Sequence, residues 1–522
     1  MTTQTATDAP VLRSTLPGVV GVRTVDSVNP ADLSDVVAHV ELTGPEGVVA
    51  AGRRANAAQR AWAQVPAPVR GRVIAAIGRL VEANLDTLAR LVTREVGKPL
   101  AEARGEVQEI VDTCDVFLAE GRRLYGQTVP SEMPDKHLFT FRVPVGTAVV
   151  ITAGNFPVAV PSWYLVPALL CGNAVVWKPA EYAAACADAL ARLFVAGGLP
   201  DGLLTVVHAD GPSTSEGLAQ ALDAGLVGKV GFTGSTEVGR RIGELCGRHL
   251  QSPCLELGGK NPMVVTADAD LGLAVEGALF GGFGTAGQRC TSLGTLIVDE
   301  SVHEEFLRRF DAEVRAAAVG DPTRDVVMGP LLAPQFADRY EAYLGWIGDH
   351  HRVLGSTGIG RIGRENPRQG FVGDPEAGLF YHPVVVDGVH PDDELFRVET
   401  FGPVVGVTTY RSLEEAIDLA NLPGYGLSSS IYTTDPRSAF RFRQGIGAGM
   451  VSVNNSTSGA EAHLPFGGNG KSGNGSRQSG IWVLEQFTRW QAMNWDYSGR
   501  LQKAQMDVEI PPADTGFRLQ HR

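Results

Sequence analysis

The chain has 522 residues, a net charge of −13 at pH 7 and 44% hydrophobic residues. A single hydrophobic core rarely grows beyond about 250–300 residues, so this length predicts two or more domains. The chain has no block of basic residues, which argues against a nucleic-acid partner, and its composition is typical of a globular protein.

The sequence gives no sign of a membrane or secretory segment. The N-terminus lacks a basic stretch followed by an apolar run. The most apolar stretch, 163–177, contains Pro167 and Gly172 and is shorter than the roughly 20 residues of a membrane helix. The six cysteines are scattered without a CxxC pair, which argues against disulfides and structural zinc. We therefore expect a reduced, cytoplasmic protein in which every cysteine except Cys290 is an inert buried thiol.

The first half of the chain alternates helical and strand patterns. Residues 47–120 show helical periodicity, and Gly97 is expected to close a helix that covers 76–97. Residues 137–142 alternate apolar and polar side chains like a half-exposed strand. Three buried-strand patterns with helical patterns between them follow at 146–152, 173–177 and 203–207. This alternation predicts a parallel α/β sheet that is buried on both faces.

The second half continues in the same style. Strand patterns lie at 295–298, 404–410 and 450–454, and helical patterns at 301–319 and 413–421. Residues 352–375, rich in glycine and arginine, are interpreted as a surface excursion. The tail after Gly499 is expected to pack on a neighbouring subunit or to stay loose.

Two motifs are set aside. Gly358, Gly360 and Gly363 match G-x-G-x-x-G, but a poor helix start follows, so a surface loop is favoured over a dinucleotide site. The pair His350-His351 lacks carboxylate or cysteine partners at metal-ligand spacing, and no metal site is predicted.

Cys290 is a candidate nucleophile because it follows a loop of small residues, FGTAGQR, that is rich in backbone N–H groups. Such surroundings, with an adjacent arginine, are expected to favour the thiolate. The alternative is a buried cysteine in a glycine-rich turn.

Three more segments carry candidate chemistry. Glu256 lies between two leucines, and apolar neighbours raise a carboxyl pKa and suit it to general-base work; a solvent-facing strand end is the alternative. Asn155 follows a buried strand, with Pro157 placed to open a helix, so its amide is a candidate oxyanion donor or a helix cap. Residues 232–239 join a strand to a helix whose first N–H groups attract phosphate.

Together these segments resemble the aldehyde dehydrogenase superfamily. The resemblance runs in order from about residue 20 to 500. It is carried by the segments ITAGNFP (151–157), VVWKPAE (175–181), FTGSTEVG (232–239), LELGGKN (255–261), FGTAGQRC (283–290), ETFGPV (399–404) and LPFGGNGKSG (464–473).

The resemblance implies roles for the matching residues. Cys290 would be the nucleophile, Asn155 and the Cys290 backbone N–H the oxyanion hole, and Glu256 the base that activates water. The matching cofactor-binding residues would be Lys178, Glu181, Gly234, Ser235, Gly239, Glu399 and Phe401. Glu181 favours NAD, because a carboxylate repels a 2′-phosphate, while Lys178 keeps NADP open.

The resemblance also implies an α/β aldehyde dehydrogenase-like fold in three parts. A Rossmann-like NAD-binding domain would span 1–132 and 149–258, and an α/β catalytic domain 259–483. A small oligomerisation sheet would come from 133–148 and 484–500, followed by a tail at 501–522. A homodimer or homotetramer is then expected.

Within the superfamily the chain resembles the antiquitin branch, the α-aminoadipic semialdehyde (piperideine-6-carboxylate) dehydrogenases. The shared segments are GEVQEIVDTCDVF (105–117), NFPVAVPSW (155–163), GTAGQRCT (284–291), GLSSSIYTTD (426–435) and NNSTSGAEA (454–462). Glu109 and Arg289 match the residues with which that branch holds the amino acid end of its substrate. Ser458, Gly459 and Ala460 match its carboxylate-anchoring loop. The alternatives are a surface helix position for Glu109 and a role for Arg289 unrelated to this substrate.

The segments at 175–181 and after Ala462 follow the general family pattern instead, and the excursion at 352–375 has no clear counterpart in the branch. We therefore predict NAD-dependent oxidation of a small semialdehyde, such as α-aminoadipic semialdehyde, through a cysteine thioester. The alternatives are a general aliphatic or aromatic aldehyde dehydrogenase, a CoA-acylating relative, a cysteine hydrolase and a catalytically silent binding protein.

Overall fold

The computed structural model describes residues 9–503 and 512–521, so part of the predicted tail at 501–522 lies outside the described residues. The α-helices are α1 (Pro45–Ala63), α2 (Ala67–Ala83), α3 (Leu85–Val96), α4 (Leu100–Glu120), α5 (Ala159–Leu170), α6 (Ala184–Ala196), α7 (Gly211–Asp223), α8 (Thr236–Arg248), α9 (Leu271–Phe283), α10 (His303–Ala316), α11 (Pro334–Leu344), α12 (Glu394–Arg397), α13 (Leu413–Asn421), α14 (Pro436–Gly445) and α15 (Leu484–Phe487).

The strands of the first half are β1 (Val11–Leu12), β2 (Arg23–Asn29), β3 (Asp32–Leu42), β4 (Thr128–Val129), β5 (Lys136–Pro144), β6 (Thr147–Ile151), β7 (Ala174–Lys178), β8 (Leu204–Val206), β9 (Lys229–Thr233) and β10 (Cys254–Glu256). Those of the second half are β11 (Asn261–Val265), β12 (Leu293–Asp299), β13 (Val319–Gly320), β14 (Arg352–Leu354), β15 (Phe371–Val372), β16 (Val384–Asp387), β17 (Val404–Tyr410), β18 (Tyr425–Gly426), β19 (Ser428–Tyr432), β20 (Met450–Val453), β21 (Asn469–Gly470) and β22 (Thr488–Asp496).

The helical region 47–120 forms the four helices α1 to α4. Gly97 ends α3 at a φ of 70°, a left-handed conformation that suits glycine, as predicted. The single helix predicted over 76–97 is wrong, because it divides at Asn84. The Asn84 side-chain amide donates to the Leu80 carbonyl at 2.7 Å and closes α2.

The predicted parallel sheet is confirmed as a five-stranded sheet with the order β10-β9-β6-β7-β8. Strands β6, β7 and β8 are buried along their whole length and pack in one core with α5 and α6. Because the carboxyl ends of parallel strands meet at one edge, Asn155, Lys178, Ser235 and Glu256 are brought to the same side of this sheet. Ligands of α/β sheets bind at that edge.

A second sheet has the order β14-β16-β17-β12-β11-β19-β20, in which only β14 runs antiparallel to its neighbour. The predicted strands at 295–298, 404–410 and 450–454 lie in it as β12, β17 and β20, and the predicted helices are α10 and α13. Cys290 lies three residues before β12, and the Asn261 amide at the start of β11 donates to the Cys290 carbonyl at 2.8 Å. The amino ends of this sheet therefore hold the cysteine loop.

A third sheet pairs β5 with β22 and β4, all antiparallel. The half-exposed strand predicted at 137–142 is confirmed as part of β5. Strand β22 is exposed from Arg489 to Asp496. Among the described residues no helix is long and apolar enough to cross a membrane.

The excursion at 352–375 is only partly a surface segment. It contributes β14 to the edge of the second sheet and β15 to a two-stranded sheet with β13. The buried guanidinium of Arg368 donates to the Val314 and Ala317 carbonyls at 2.6 and 3.1 Å, and so satisfies the end of α10. The glycine motif at 358–363 lies in a loop, as predicted.

Candidate active site

Two cavities meet at Cys290. The first, which we name the Glu399 cavity, has a volume of about 300 Å³ and is lined by Asn155, Gly234, Ser235, Glu399 and Phe401 among others. The second, the Glu109 cavity, has a volume of about 420 Å³ and is lined by Glu102, Glu106, Glu109, Arg289, Gly459 and Ala460 among others. Cys290, Phe156 and Val160 belong to both walls. The Cys290 side chain therefore borders both cavities.

The backbone before Cys290 follows a constrained path. Thr285 and Ala286 have φ values of 50° and 53°, a left-handed conformation that is costly for residues with a side chain. Gly287 has a φ of 68°, and a Cβ there would lie 2.3 Å from the Gly402 carbonyl. Such a path persists only where the surroundings hold it, so the cysteine position is fixed by its neighbours.

The Cys290 thiol is less acidic than the sequence suggests. Burial raises its pKa to about 12, and the nearby carboxyl groups of Glu256 and Glu399 add to the shift. The prediction that this loop favours the thiolate is therefore wrong for the protein alone. Hydrogen bonds from the backbone N–H groups of Cys290 and Thr291 oppose the shift without reversing it. Cys290 is half-buried, whereas the other five cysteines are buried as predicted.

Asn155 lies against the cysteine loop. Its Nδ2 donates to the Gln288 carbonyl at 2.8 Å, which uses one of two amide hydrogens and leaves one for a ligand oxygen. Pro157 does not open the helix as predicted, because α5 begins at Ala159.

The start of α5 is held instead by a buried carboxylate. Glu106 Oε1 accepts hydrogen bonds from the backbone N–H groups of Val158 and Ala159 at 2.9 and 3.1 Å. Lys98 forms an ion pair with Glu106, and its Nζ lies 3.4 Å from the centre of the Phe156 ring. This network fixes the residues that directly follow Asn155.

Glu256 ends β10 and is buried. Its Oε2 accepts a hydrogen bond from the Gly468 N–H at 3.3 Å, while Oε1 has no partner among the described residues. Burial raises the pKa of Glu256 well above its ordinary value, and the charge of Arg477 opposes this shift. A buried carboxyl with one unpaired oxygen suits a base that acts on water.

Four of the predicted cofactor residues line one cavity. Gly234, Ser235, Glu399 and Phe401 all lie in the wall of the Glu399 cavity. Ser235 caps α8 by accepting the Val238 N–H at 3.4 Å, so the helix begins at this cavity and offers N–H groups that suit phosphate. Burial raises the pKa of Glu399 to about 7, although its carboxylate accepts the Gly259 N–H at 3.0 Å.

The other three lie outside that wall. Lys178 donates to Glu181 at 3.0 Å, and this ion pair lies at the end of β7. Gly239 lies within α8, where an added Cβ would be 2.3 Å from a methyl group of Leu257. The structure thus places Gly239 at a close contact between α8 and the residue that follows β10.

The predicted substrate residues separate in a similar way. Glu109, Arg289, Gly459 and Ala460 line the Glu109 cavity, whereas Ser458 is buried and its hydroxyl donates to the Thr291 carbonyl at 3.3 Å. Burial and the neighbouring Glu106 raise the pKa of Glu109 to about 8. Its Oε1 has no partner at hydrogen-bonding geometry among the described residues, although the nearby Trp163 indole N–H opposes the rise in pKa.

Arg289 pairs with a residue that the sequence analysis missed. Its Nη2 forms an ion pair with Glu102, and its guanidinium lies 4.4 Å from the centre of the Phe280 ring. Glu102, Glu106 and Glu109 are spaced four and three residues apart, so they share one face of α4. This spacing in the sequence could have indicated that Glu102 faces the same cavity as Glu109.

A histidine cluster lies among residues that line neither cavity. The rings of His350 and His351 approach Asp393, and their Nε2 atoms lie 3.5 and 3.2 Å from its Oδ2. The expectation that these histidines lack a carboxylate partner is therefore wrong. The Gly348 N–H donates to His351 Nδ1 at 2.9 Å, so the Nε2 of the neutral ring carries the proton and donates to Asp393. We interpret the cluster as a hydrogen-bonded one.

This arrangement, a cysteine between two cavities with an amide and a buried carboxyl beside it, suits covalent catalysis by a cysteine. The profile of the aldehyde dehydrogenase family matches residues 20–493. The chain belongs to the aldehyde dehydrogenase family. The family reaction is the NAD-dependent oxidation of an aldehyde, so the predicted fold, enzyme class and cofactor are confirmed.

Among its relatives, the α-ketoglutaric semialdehyde dehydrogenase of Bacillus subtilis (strain 168) is 36% identical over 462 residues, which cover 88% of this chain and 92% of that protein. The α-aminoadipic semialdehyde dehydrogenase of Bos taurus is 36% identical over 461 residues, 87% and 82% of the two chains. The crystal structure of betaine aldehyde dehydrogenase from Staphylococcus aureus in complex with NAD+ superimposes with a TM-score of 0.86 at 28% identity, covering 94% of this chain and 95% of that one. The resemblance to the antiquitin branch is thus confirmed, alongside a second group of semialdehyde dehydrogenases.

Proposed function

We propose that this enzyme oxidises a small ω-semialdehyde that carries an α-amino acid end, of the α-aminoadipic semialdehyde type, with NAD as the acceptor. The observation that carries the proposal is the Glu109 carboxyl group in the cavity behind Cys290. Glu109 has no ion-pair partner among the residues that the structure describes, and one of its oxygens is unpaired. A substrate ammonium would supply the missing partner.

The charges around the Glu109 cavity support an ammonium-bearing substrate. Lys98 is balanced by Glu106, and Arg289 is balanced by Glu102. Glu109 is then the carboxyl group left without a cation, and burial and the charge of Glu106 raise its pKa. The substrate carboxylate would lie near Arg289 and the backbone of Gly459 and Ala460.

In the first half of the reaction, Cys290 acts as the nucleophile. Its thiol gives its proton to water, and the resulting thiolate attacks the carbonyl carbon of an aldehyde that lies in the Glu109 cavity. The remaining N–H of the Asn155 amide and the Cys290 backbone N–H stabilise the oxygen that becomes negative. Bound NAD supplies the acceptor for the hydride that then leaves this carbon. A thioester on Cys290 remains.

In the second half, Glu256 acts as a general base. Its unpaired Oε1 takes a proton from water, and the resulting hydroxide attacks the thioester carbon. The carbon–sulfur bond breaks, the acid is released and the Cys290 sulfur is regenerated. The presence of this base supports hydrolysis over transfer of the acyl group to CoA, which needs no activated water.

We propose NAD over NADP from the Lys178–Glu181 pair. The Glu181 carboxylate suits the 2′-hydroxyl of an adenosine ribose and repels a 2′-phosphate, and the charge of Lys178 is already paired at 3.0 Å. Replacing Glu181 with glutamine should therefore raise kcat/KM with NADP relative to NAD. An unchanged ratio would contradict this role.

We also propose the domain division given above and a homodimer or homotetramer in the cytoplasm. One face of the third sheet supports assembly, because Phe141, Met493 and Trp495, which share that face, are each more than a third exposed. Exposed apolar patches of this kind mark interaction surfaces. Light scattering after size-exclusion chromatography tests this, and a monomer of 55.3 kDa would contradict it.

The decisive experiment measures NADH formation with α-aminoadipic semialdehyde, α-ketoglutaric semialdehyde, adipic semialdehyde and hexanal. The proposal expects the highest kcat/KM for the first and a selective loss of that preference in Glu109→Gln. A higher kcat/KM for α-ketoglutaric semialdehyde would indicate that the enzyme acts on the substrate for which the Bacillus relative is named. A preference for hexanal would indicate a general aldehyde dehydrogenase, and no activity with NAD or NADP would indicate a silent binding protein.

A further inference from the structure

Glu102 occupies a position between the catalytic loop and the substrate cavity. It lies near the start of α4, and its side chain is 15% exposed. The carboxylate accepts hydrogen bonds from the Thr285 N–H at 3.2 Å and from the Thr285 hydroxyl, and it forms the ion pair with Arg289. One carboxylate thus contacts both ends of the turn that leads to Cys290.

The turn itself needs such an anchor. Thr285 and Ala286 are the two left-handed residues before Cys290, and their conformation is unfavourable without outside contacts. Glu102 accepts two hydrogen bonds from Thr285. Arg289, the ion-pair partner of Glu102, also donates from Nε to the Thr285 hydroxyl at 3.2 Å. The contact with Glu102 therefore stabilises the position of the nucleophile.

The same contact limits the charge that Arg289 presents to a substrate. A guanidinium that already pairs with a carboxylate attracts a second carboxylate less strongly, because the two anions repel each other. Both Glu102 and Arg289 line the Glu109 cavity. A substrate carboxylate in this cavity therefore meets the ion pair of Arg289 and Glu102, which has no net charge.

We propose that Glu102 is a specificity-determining and positioning residue of this enzyme: it holds the turn before Cys290 and reduces the attraction of Arg289 for substrate carboxylates. The inference rests on the proposed placement of the substrate carboxylate near Arg289. It does not depend on recognition of the amino group by Glu109.

The experiment compares adipic semialdehyde with hexanal, which have the same chain length and differ in the terminal carboxylate. Glu102→Gln keeps an oxygen that accepts from Thr285 and removes the negative charge. We expect the KM for adipic semialdehyde to fall roughly tenfold and the KM for hexanal to stay within about twofold. The fall in KM for adipic semialdehyde should vanish in the double variant Glu102→Gln with Arg289→Gln.

Two further variants separate the positioning role from the charge effect. Thr285→Val removes the hydroxyl contact but keeps both charges, so kcat should fall for both aldehydes with no change in their KM ratio. Asp115→Asn, an exposed carboxylate on the same helix, should leave all constants unchanged. Thermal melting of each variant checks that it is folded.

A Glu102→Gln protein whose KM ratio for the two aldehydes equals that of the wild type would overturn the inference, as would a gain that survives the loss of Arg289. If Glu102→Gln melts far below the wild type, the Thr285→Val result decides the positioning role, and an unchanged kcat there overturns it. Failure of the proposed substrate would instead show as poor use of α-aminoadipic semialdehyde by the wild type, with the response of adipic semialdehyde to Glu102→Gln intact.

Discussion

The side-chain amide of Asn155 donates a hydrogen bond to the backbone carbonyl of Gln288, two residues before Cys290, at 2.8 Å. This bond ties the end of the first parallel sheet to the cysteine loop of the second. The candidate oxyanion donor and the loop that carries the candidate nucleophile are therefore joined by a direct hydrogen bond.

Asn155→Ala is expected to lower kcat by about 10²–10³, because one oxyanion donor is lost, while KM changes little. Steady-state NADH formation measures both constants. Asn494→Ala, at an exposed position of β22, serves as the control for a neutral asparagine replacement. An unchanged kcat in the Asn155 variant would remove Asn155 from the mechanism.

Alkylation of Cys290 by iodoacetamide should be slow near neutral pH in the protein without cofactor. Its pKa is raised to about 12, so the thiolate fraction and the rate should rise about tenfold per pH unit up to pH 10. Mass spectrometry locates the modified residue, and Cys290→Ala provides the blank. A rate that levels off between pH 7 and 8 would contradict the raised pKa.

Glu256→Gln should separate the two halves of the reaction. Hydride transfer does not require the base, whereas hydrolysis of the thioester does, so we expect one equivalent of NADH per active site and then a steady rate reduced by about 10²–10⁴. Stopped-flow absorbance at substrate saturation measures the burst, and mass spectrometry detects the acyl group on Cys290. A variant without a burst would place Glu256 before the thioester.

The raised pKa of Glu109 makes stability depend on pH. The carboxyl group has a pKa of about 8 in the folded protein against 4.5 as its ordinary value, so the folded state binds the proton more tightly. The stabilisation is complete below pH 4.5 and is lost as the pH rises to 8. Glu109→Gln cannot lose a proton, so its stability relative to the wild type should increase by about 1–3 kcal/mol from pH 5 to 8. Melting curves across this range, with Asp115→Asn as control, measure it; a constant difference would contradict the shift.

Lys98→Met should destabilise the protein by about 3–5 kcal/mol, because Glu106 would remain as a buried charge without its partner. The double variant Lys98→Met with Glu106→Gln should recover part of that loss. Arg104→Met, on the exposed side of the helix α4 that carries Glu106, should have little effect on stability. Urea unfolding followed by fluorescence gives the differences, and equal values for Lys98→Met and Arg104→Met would show that the buried pair contributes nothing.

Much of the fold could be predicted because its signals are local. Buried runs such as 146–152 and helical periodicity such as 413–421 lie within single elements and depend on nearest neighbours. The catalytic candidates Cys290, Glu256 and Asn155 lie in short segments that each left an alternative open, and the ordered combination of these segments is what indicated their roles.

The missed features all join distant parts of the chain. The ion pair of Glu102 and Arg289 spans 187 residues, and Asp393 meets His351 across 42. The pKa of Cys290 is set in part by Glu399 in another segment, so its local loop could not reveal the direction of the shift. Side-chain pairs of this kind depend on how elements that are far apart in the chain pack together, which periodicity does not encode.

The shared wall of the two cavities, formed by Cys290, Phe156 and Val160, has a consequence for inhibitor design. Fragments found separately for the two cavities are neighbours across that wall, so a short linker that passes the sulfur would raise the effective concentration of each fragment at its site. The linker must be narrow because the ring of Phe156, which lines both cavities, flanks the passage. A mild electrophile within the linker would then sit beside the one half-buried thiol among the cysteines of the enzyme, and selectivity would come from reach more than from reactivity.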